Sequence, residues 1–250
     1  MSDARIHVIH EPTAAEPFLV LDKPSGLPSA PLRDGDDSAL TQAVALFPDL
    51  AAVQGKKAIE KGLVHRIDTA TRGCVLIAAT QDAYAFLLAA QKNRQFHKWY
   101  RAQIDRIPDA ASRLGGFPVP PLAVQSLSRD GAIIVQSRFR GYGENNRQVR
   151  PVSEQSGRAA HKKSGDTIYQ TEITLQDDVA LCKIYAGYRH QVRCHLAWIG
   201  LPVQNDPLYN PRCTGANTTG ALAFTAYKIA FPHPLQGKTW SFCLEDELKK

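Results

Sequence analysis

The sequence of 250 residues contains only five cysteines, and none of them forms a Cys-x-x-Cys pair. An odd number of scattered thiols argues against a disulfide framework, and the thiols lack the close spacing that a zinc site needs. The five are Cys74, Cys182, Cys194, Cys213 and Cys243. The cysteines therefore indicate neither a metal site nor a secreted, disulfide-stapled domain.

The chain also lacks an apolar run of membrane-spanning length, and residues 1–5 do not lead into the apolar core of a signal peptide. Hydrophobic residues make up 44% and charged residues 22% of the sequence, as in ordinary globular proteins. The length suffices for one large domain or two small ones. We expect a cytoplasmic protein with no membrane partner.

Common catalytic signatures are missing as well. Gly26, Gly62 and Gly73 stand alone, so there is no glycine-rich phosphate loop, and no serine lies in a nucleophile elbow. His190 and His195 are five residues apart, which does not place them on one helical face as zinc ligands. We assign no metal and no cofactor.

The formal net charge is +6 and the isoelectric point is about 9.1. A basic balance favours a polyanionic partner such as nucleic acid, although a charge run alone more often marks a solvated surface. Cations are concentrated at Lys92, Arg94, Lys98, Arg101, Arg138, Arg140, Arg147, Arg150, Arg158, Lys162 and Lys163. Residues 141–166 are polar, basic and rich in glycine and serine, which predicts a segment that is mobile without a partner.

The most informative segment is 64–78, where a lone acid, Asp68, follows Arg66 by two residues. Thr71 and Gly73 then lead into an aliphatic run that predicts a buried strand. Asp68 would then lie in a loop anchored to the core, where a reactive group is held rigidly. An aspartate in this pattern often only caps its own turn, so both interpretations stay open here.

Short strands alternate with few helices along the chain. The predicted strands are residues 18–21, 74–79, 98–104, 132–137, 167–175, 179–186, 221–231 and 239–244. Predicted helices begin at Asp37 or Ser38 and at Thr80, and a third spans 189–199, with Arg189 and Arg193 one turn apart. Residues 107–121 predict a surface loop. This pattern indicates an α+β fold with a mixed, mainly antiparallel sheet and flanking helices.

A single carboxylate disfavours ordinary glycoside hydrolysis, which uses two. It suits a reaction in which a sugar–base bond is broken and remade without water, with the carboxylate as nucleophile. A buried aspartate needs a cation to stay ionised, and arginine supplies one in fork geometry. The base must also leave the RNA stack, so an inserted cation or aromatic side chain is expected.

Five blocks occur in a recognisable order. They are Asp22-Lys23-Pro24-Ser25-Gly26-Leu27, His65-Arg66-Ile67-Asp68-x-x-Thr71-x-Gly73, Lys98-Trp99-Tyr100, Gly187-x-x-His190-Gln191-Val192-Arg193-x-His195-Leu196 with Asp206-Pro207-Leu208-Tyr209, and Leu222-x-Phe224-x-Ala226-Tyr227. Together they resemble the pseudouridine synthases of the RluA-like branch, from about residue 18 to 244. The resemblance implies that family's catalytic fold as a single domain over 1–250, without the small N-terminal RNA-binding domain of many relatives.

The resemblance also implies roles for individual residues. Asp68 would be the nucleophile or covalent catalyst that detaches uracil, either at the sugar carbon or through a glycal-like intermediate. Tyr100 would stack on uracil and remove the C5 proton, Arg193 would pair with Asp68, and Arg66 would enter the space left by the flipped nucleotide. The further substrate-binding candidates are His65, Thr71, Lys98, His190 and Gln191. No cofactor and no metal are implied.

The chain departs from the family pattern at positions near these blocks. They are Arg72 in place of serine, Tyr188 and Arg189 before His190, Asn205 in place of glycine, and Thr225 in place of histidine. We expect changed substrate contacts at these positions, with the four catalytic positions retained.

The leading hypothesis is an isomerase that converts uridine to pseudouridine in structured RNA, either rRNA or tRNA. It would act as a monomer without an obligate protein partner. The alternative is an RNA-binding relative without catalysis, which leaves Asp68 and Tyr100 unexplained. Hydrolytic removal of a base would need a water-activating acid that the sequence does not offer.

Overall fold

The computed structural model describes residues 4–107, 114–121, 131–213 and 220–244. The strands in these ranges are β1 (His7–His10), β2 (Phe18–Lys23), β3 (Arg72–Ala78), β4 (His97–Gln103), β5 (Ile133–Tyr142), β6 (Gln148–Val152), β7 (Tyr169–Gln176), β8 (Val179–Ile184), β9 (Phe224–Pro232) and β10 (Thr239–Cys243). The helices are α1 (Ala39–Leu46), α2 (Gln81–Lys92), α3 (Arg158–Lys162) and α4 (Gln191–Trp198). None of these helices has both the length and the apolar character to cross a membrane.

The chain forms two compact units. Unit 1 combines Met1–Trp99 with Thr225–Lys250, and unit 2 comprises Tyr100–Phe224. In unit 1 the strand order is β1-β2-β3-β9, and β10 pairs with β9. The β3–β9 pair is parallel, whereas the other strand pairs of this unit are antiparallel among the described residues.

The core of unit 1 lies beneath β2 and β3, which are almost entirely buried. Phe18, Leu76 and Phe231 belong to one apolar cluster with Leu87 of α2. Helix α2 begins where the Thr80 side chain accepts a hydrogen bond from the amide of Ala83, a standard N-cap. This buried pair of strands fixes the loop that precedes β3.

Unit 2 has the antiparallel strand order β8-β7-β5-β6. Phe139 of β5 and Val149 of β6 pack against Cys194 and Ala197 of α4, together with Tyr209. All eight residues of α4 are buried. Such a helix holds its polar side chains rigidly, because each must find a partner inside the protein.

The sequence-based α+β prediction, with a mixed and mainly antiparallel sheet, is confirmed, and each predicted strand and helix has a counterpart. Residues 141–166, for which no regular element was predicted, contain β6 and α3, and their mobility without a partner stays a prediction. The predicted start of the third helix is also wrong: His190 adopts a left-handed conformation as the N-cap, so Arg189 precedes α4. Strand β1 was not predicted. Of the predicted 107–121 loop, residues 108–113 lie outside the described residues.

Candidate active site

Asp68 lies in a loop whose backbone is held on three sides. The Ser29 hydroxyl donates to the carbonyl of Ile67 at 2.8 Å and accepts from the amide of Ile67 at 3.1 Å. The Ser25 hydroxyl donates to the carbonyl of Ala70 at 2.7 Å. The carbonyl of Asp68 itself accepts from the amide of Thr71 at 2.9 Å, which closes a turn. The backbone around Asp68 is therefore fixed by its neighbours.

Lys23 supports the same loop from below and brings a positive charge to it. Its buried ammonium donates to the carbonyls of Leu27 at 2.6 Å, Pro24 at 2.8 Å and Thr69 at 3.1 Å. Burial lowers the pKa of Lys23 to about 8, and the negative charge of Asp68 opposes this shift. The Lys23 ammonium therefore both anchors the Asp68 loop and interacts electrostatically with Asp68.

His65 joins the Asp68 loop to β3. Its Nε2 accepts a hydrogen bond from the amide of Leu76 at 3.2 Å, and its ring lies edge-on against Phe96 at 5.0 Å. Burial, and then the Lys98 charge, hold the pKa of His65 well below its usual range. The ring is therefore neutral with its proton on Nδ1, an atom without a hydrogen-bond partner among the described residues.

Two other predicted residues flank Asp68. Arg66 has 62% of its side chain exposed and forms an ion pair with Glu60 at 3.1 Å. Thr71 is buried, and its hydroxyl makes no hydrogen bond within the described ranges. The Arg66 guanidinium is thus largely exposed to solvent, and its insertion into RNA stays a prediction.

Two departures from the family pattern are neighbours in unit 1. Arg72 and Thr225 are register partners in the parallel β3–β9 pair, next to Gly73 and Ala226. The Arg72 guanidinium donates twice to Asp22, at 2.7 and 2.9 Å. A Cβ atom on Gly73 would lie 2.2 Å from the carbonyl oxygen of Ala226, so the strands approach closely only because this residue is glycine.

Lys98 lies on β4 as a second buried lysine of unit 1. Its ammonium is 5.3 Å from the centroid of the Phe96 ring, the ring that His65 also contacts. Burial alone lowers the pKa of Lys98 to about 8. Lys98 and His65 thus place two buried hydrogen-bond donors beside the Phe96 ring.

Tyr100 and Arg193 both lie in unit 2, as separate features. The Tyr100 ring stacks on that of Phe224, with centroids 5.1 Å apart and planes at 7°. Arg193 on α4 donates to both carboxylate oxygens of Asp206 at 2.8 Å. Asp206 also accepts from the backbone amide of Tyr209 at 3.2 Å. The predicted pairing of Arg193 with Asp68 joins residues of different units and stays a prediction.

His190 and Gln191 are engaged with unit 2 itself. The Nδ1 atom of His190 lies 3.0 Å from the hydroxyl of Tyr209. The Gln191 side chain accepts from the amide of Tyr188 at 3.0 Å and donates to the carbonyl of Gln170 at 2.9 Å. Both side chains hold the segment that leads into α4, and their contact with a substrate stays a prediction.

Four residues that shape these regions were assigned no role from the sequence. Lys23, Asp206 and Phe224 belong to the five sequence blocks, which was the available signal for them. Ser29 follows the first block and offered no such signal. Their contacts with the Asp68 loop, with Arg193 and with Tyr100 depend on folding, so residue type alone could not reveal them.

The comparison with known families bears directly on these residues. The sequence pattern of the family described as RNA pseudouridylate synthase matches residues 17–198, which include Asp68, Tyr100 and Arg193. The chain belongs to this family. A member of this family from Zymomonas mobilis, named ribosomal large subunit pseudouridine synthase D, is 28% identical over 92% of this chain and 67% of its own length.

Other members of the RNA pseudouridylate synthase family give the same relationship. The ribosomal large subunit pseudouridine synthase D of Pseudomonas aeruginosa is 26% identical over 84% of this chain and 55% of its own length. An uncharacterised RNA pseudouridine synthase of Chloroflexus aurantiacus is 29% identical over 88% of this chain and 60% of its own length. The chain thus spans between 55% and 67% of these relatives.

Solved structures of the family support the fold. Human RNA pseudouridylate synthase domain containing 1 matches with a TM-score of 0.65 at 15% identity, covering 98% of this chain and 85% of the human chain. Human RNA pseudouridylate synthase domain containing 4 has a TM-score of 0.59 at 17% identity, covering 95% and 87% of the two chains. At these identities the likeness concerns the fold alone.

Proposed function

We propose that this protein isomerises uridine to pseudouridine in structured RNA, either rRNA or tRNA, with Asp68 as the catalytic carboxylate. The observation that carries the proposal is the rigid Asp68 loop in a chain of the pseudouridylate synthase family. Ser29 and Lys23 bind the backbone on both sides of Asp68, at Ile67 and Thr69. A fixed, ionised carboxylate is what attack on a sugar carbon requires.

The isomerisation breaks the bond between C1′ of ribose and N1 of uracil and forms a bond between C1′ and C5. The Asp68 carboxylate assists the first step, and the base turns while it is held in the site. The C5 proton is then released and N1 acquires a proton. Tyr100, whose ring is supported by Phe224, is proposed to stack on the uracil and to take the C5 proton.

Arg66 is proposed to occupy the space left by the extruded nucleotide. Its exposed side chain fits this role, and its ion pair with Glu60 is weak enough to exchange for RNA phosphates or bases. Arg193 is proposed to support the ionised state of Asp68, in keeping with its place in the family pattern. These assignments predict that the four residues act on one nucleotide.

The loss of the C5 proton gives a direct assay. RNA labelled with tritium at uridine C5 is incubated with the wild-type protein and with Asp68→Asn, which keeps the size of the side chain. Wild-type protein should release tritium to water, and the variant should be slower by about 10³-fold or more. Equal release by both proteins would rule out Asp68 as the catalyst.

Two further outcomes separate the alternatives. Binding of RNA without tritium release by the wild type, on total cellular RNA from cells lacking the gene, would favour a non-catalytic RNA-binding protein. Tyr100→Phe tests the second role, because it keeps the stacking ring and removes the hydroxyl. We expect RNA binding to persist and most turnover to be lost, whereas full turnover would remove the proton-transfer role of Tyr100.

A further inference from the structure

Positive charge in unit 2 is concentrated in the segment that forms β6 and α3. Residues 138–163 contain seven arginines and lysines against two glutamates, a formal charge of +5, while the whole chain carries +6. The composition of this segment alone suggests a mobile linker. In the structure, by contrast, residues 138–142 of β5 and 148–152 of β6 pair as antiparallel strands.

The cations of this segment lack acidic partners within the described part of the chain. None of seven side chains forms an ion pair with a carboxylate of the described residues; they are Arg138, Arg140, Arg147, Arg150, Arg158, Lys162 and Lys163. Two other arginines of unit 2 are paired with acids, Arg106 with Asp178 and Arg212 with Asp105. The charge is therefore left uncompensated locally and is not simply dispersed over the unit.

The register of the β5–β6 pair brings two positive charges together, an arrangement that is unfavourable in a sheet. Arg140 and Arg150 are directly opposite in the β5–β6 pair, and like charges in this position destabilise a sheet. The fold accommodates Arg150 by stacking it between the rings of Phe117 at 4.3 Å and Tyr142 at 4.1 Å. Aromatic rings take the place of a carboxylate here, so the positive charge is kept.

Cations of β5 and α3 lie near one another. Arg138 donates to Nδ1 of His161 at 3.3 Å, which joins β5 to α3. Arg158 and Lys162 are one helical turn apart on α3, and both are exposed, as is Lys163. We define the α3 basic patch by these exposed cations together with the two arginines of β5. Its members are Arg138, Arg140, Arg158, Lys162 and Lys163.

We propose that the α3 basic patch binds the phosphate backbone of a double-stranded stem in the RNA substrate. This inference rests on the proposed function, and it names the surface that holds the RNA outside the reaction centre. Clustered arginines and lysines without acidic partners suit phosphates, and such contacts are independent of base sequence. The patch supplies affinity, while the groups around Asp68 supply chemistry.

The test compares two triple variants that carry the same change of charge. Arg158→Gln, Lys162→Gln and Lys163→Gln together remove the α3 cations, all of which are exposed, so folding should not suffer. Lys56→Gln, Lys57→Gln and Lys238→Gln form the control, since these are exposed cations of unit 1. Thermal melts of both variants verify that they are folded.

The probe is a fluorescein-labelled RNA hairpin with a 20-base-pair stem of arbitrary sequence, followed by fluorescence anisotropy at increasing salt. The slope of the logarithm of the binding constant against that of salt should become shallower by about one for each phosphate that is no longer bound, so by up to three for the α3 variant. The control should keep the wild-type slope. In tritium release the α3 variant should have a raised KM and a kcat near that of the wild type.

The outcomes separate this inference from the proposed function. If the wild type releases tritium and the α3 variant matches it in both slope and KM, the patch is not an RNA surface. If the wild type releases no tritium but the α3 variant alone has the shallower slope, the patch stands and the isomerase proposal fails. Loss of binding to vesicles of anionic lipid by the α3 variant, with an unchanged RNA slope, would overturn the patch proposal in favour of a membrane surface.

Discussion

The Arg193 guanidinium and the Asp206 carboxylate face each other as a buried two-point ion pair, with 4% and 0% of their side chains exposed. The same carboxylate ties down the backbone amides of Leu208 and Tyr209. Arg193 is thus held in place by an acid of its own unit. A guanidinium with this support has little freedom to move during a reaction.

Asp206→Asn tests that relationship. The amide can still accept from the two backbone amides, but it removes the carboxylate charge that faces the buried Arg193 guanidinium, which should lower the free energy of unfolding by about 3 kcal/mol. Urea denaturation measures the change. Asp178→Asn is the control, because the Arg106–Asp178 pair is exposed and should contribute less than about 1 kcal/mol. Equal losses in the two variants would contradict a special role for the buried pair.

Ser29→Ala tests the support of the Asp68 loop. The change removes the partner of both the amide and the carbonyl of Ile67, so we expect stability to fall by about 1–2 kcal/mol and kcat to decrease. Ser25→Ala, in the same turn, removes only one exposed hydrogen bond, to Ala70. Urea denaturation and tritium release compare the two. A kcat for Ser29→Ala as high as that for Ser25→Ala would show that the loop does not need this anchor.

The buried His195 predicts a loss of stability in acid. Burial lowers its pKa to about 3, and its ring nitrogens contact Ser137 and Thr171. Below pH ~6.5 the unfolded chain takes up a proton that the folded protein refuses. The free energy of unfolding should therefore fall by up to ~1.4 kcal/mol per pH unit from this residue, down to about pH 3.

Urea denaturation at pH 7, 6 and 5 checks this prediction for the wild type and His195→Gln. The variant lacks the titrating ring. As the pH is lowered, its free energy of unfolding should therefore fall less steeply than that of the wild type, by up to ~1.4 kcal/mol per pH unit. His65 contributes in the same direction in both proteins, because its pKa is also lowered. Parallel profiles for the two proteins would contradict the assignment to His195.

Lys98 predicts a change of stability at alkaline pH. Its folded pKa is about 8 against 10.5 in the unfolded chain, so the unfolded state binds more protons between these values and stability should rise with pH. Lys98→Met removes the buried charge and should raise the free energy of unfolding at pH 7 by about 2 kcal/mol. If Lys98 binds substrate, kcat/KM should fall in the same variant.

The control for Lys98 is Lys92→Met, an exposed position at the end of α2. Stability profiles from pH 7 to 10 are compared for both variants and the wild type. Relative to the wild type, Lys98→Met should lose up to ~1.4 kcal/mol per pH unit of this rise. Lys23, whose pKa is also lowered to about 8, acts in the same direction in both proteins. The buried thiols of Cys74, Cys182 and Cys194, whose pKa values are raised by burial, oppose the rise above pH ~9 in both proteins. A rise as large as that of the wild type would mean that Lys98 is not the titrating group.

Local patterns predicted most of the strands and α2, because alternating or continuous apolar residues report burial directly. Strand β6 could not be found in this way. Its Arg150 is buried only because rings from Phe117 and Tyr142 enclose it, and a local pattern does not show that these rings meet it. The segment therefore has the composition of a linker although its backbone pairs with β5.

The site divides similarly between what the sequence predicted and what it did not. The sequence identified Asp68 and the loop that leads into β3, and the structure gives that loop its anchors. The sequence did not show that His65 and Gln191 form hydrogen bonds with the backbone of the protein itself, because these partners come together only on folding. The left-handed His190 likewise shifts the start of α4 past Arg189, which a periodic pattern cannot reveal.

Analysis of nucleosides after complete digestion of the RNA tests the central role of Asp68 most directly. Total RNA from cells lacking the gene is incubated with wild-type protein or Asp68→Asn, and pseudouridine and free uracil are quantified by chromatography and mass spectrometry. The wild type should form pseudouridine without free uracil, and Asp68→Asn should form none while still binding RNA. Pseudouridine formation by Asp68→Asn at the wild-type rate, or release of free uracil by the wild type, would contradict the account.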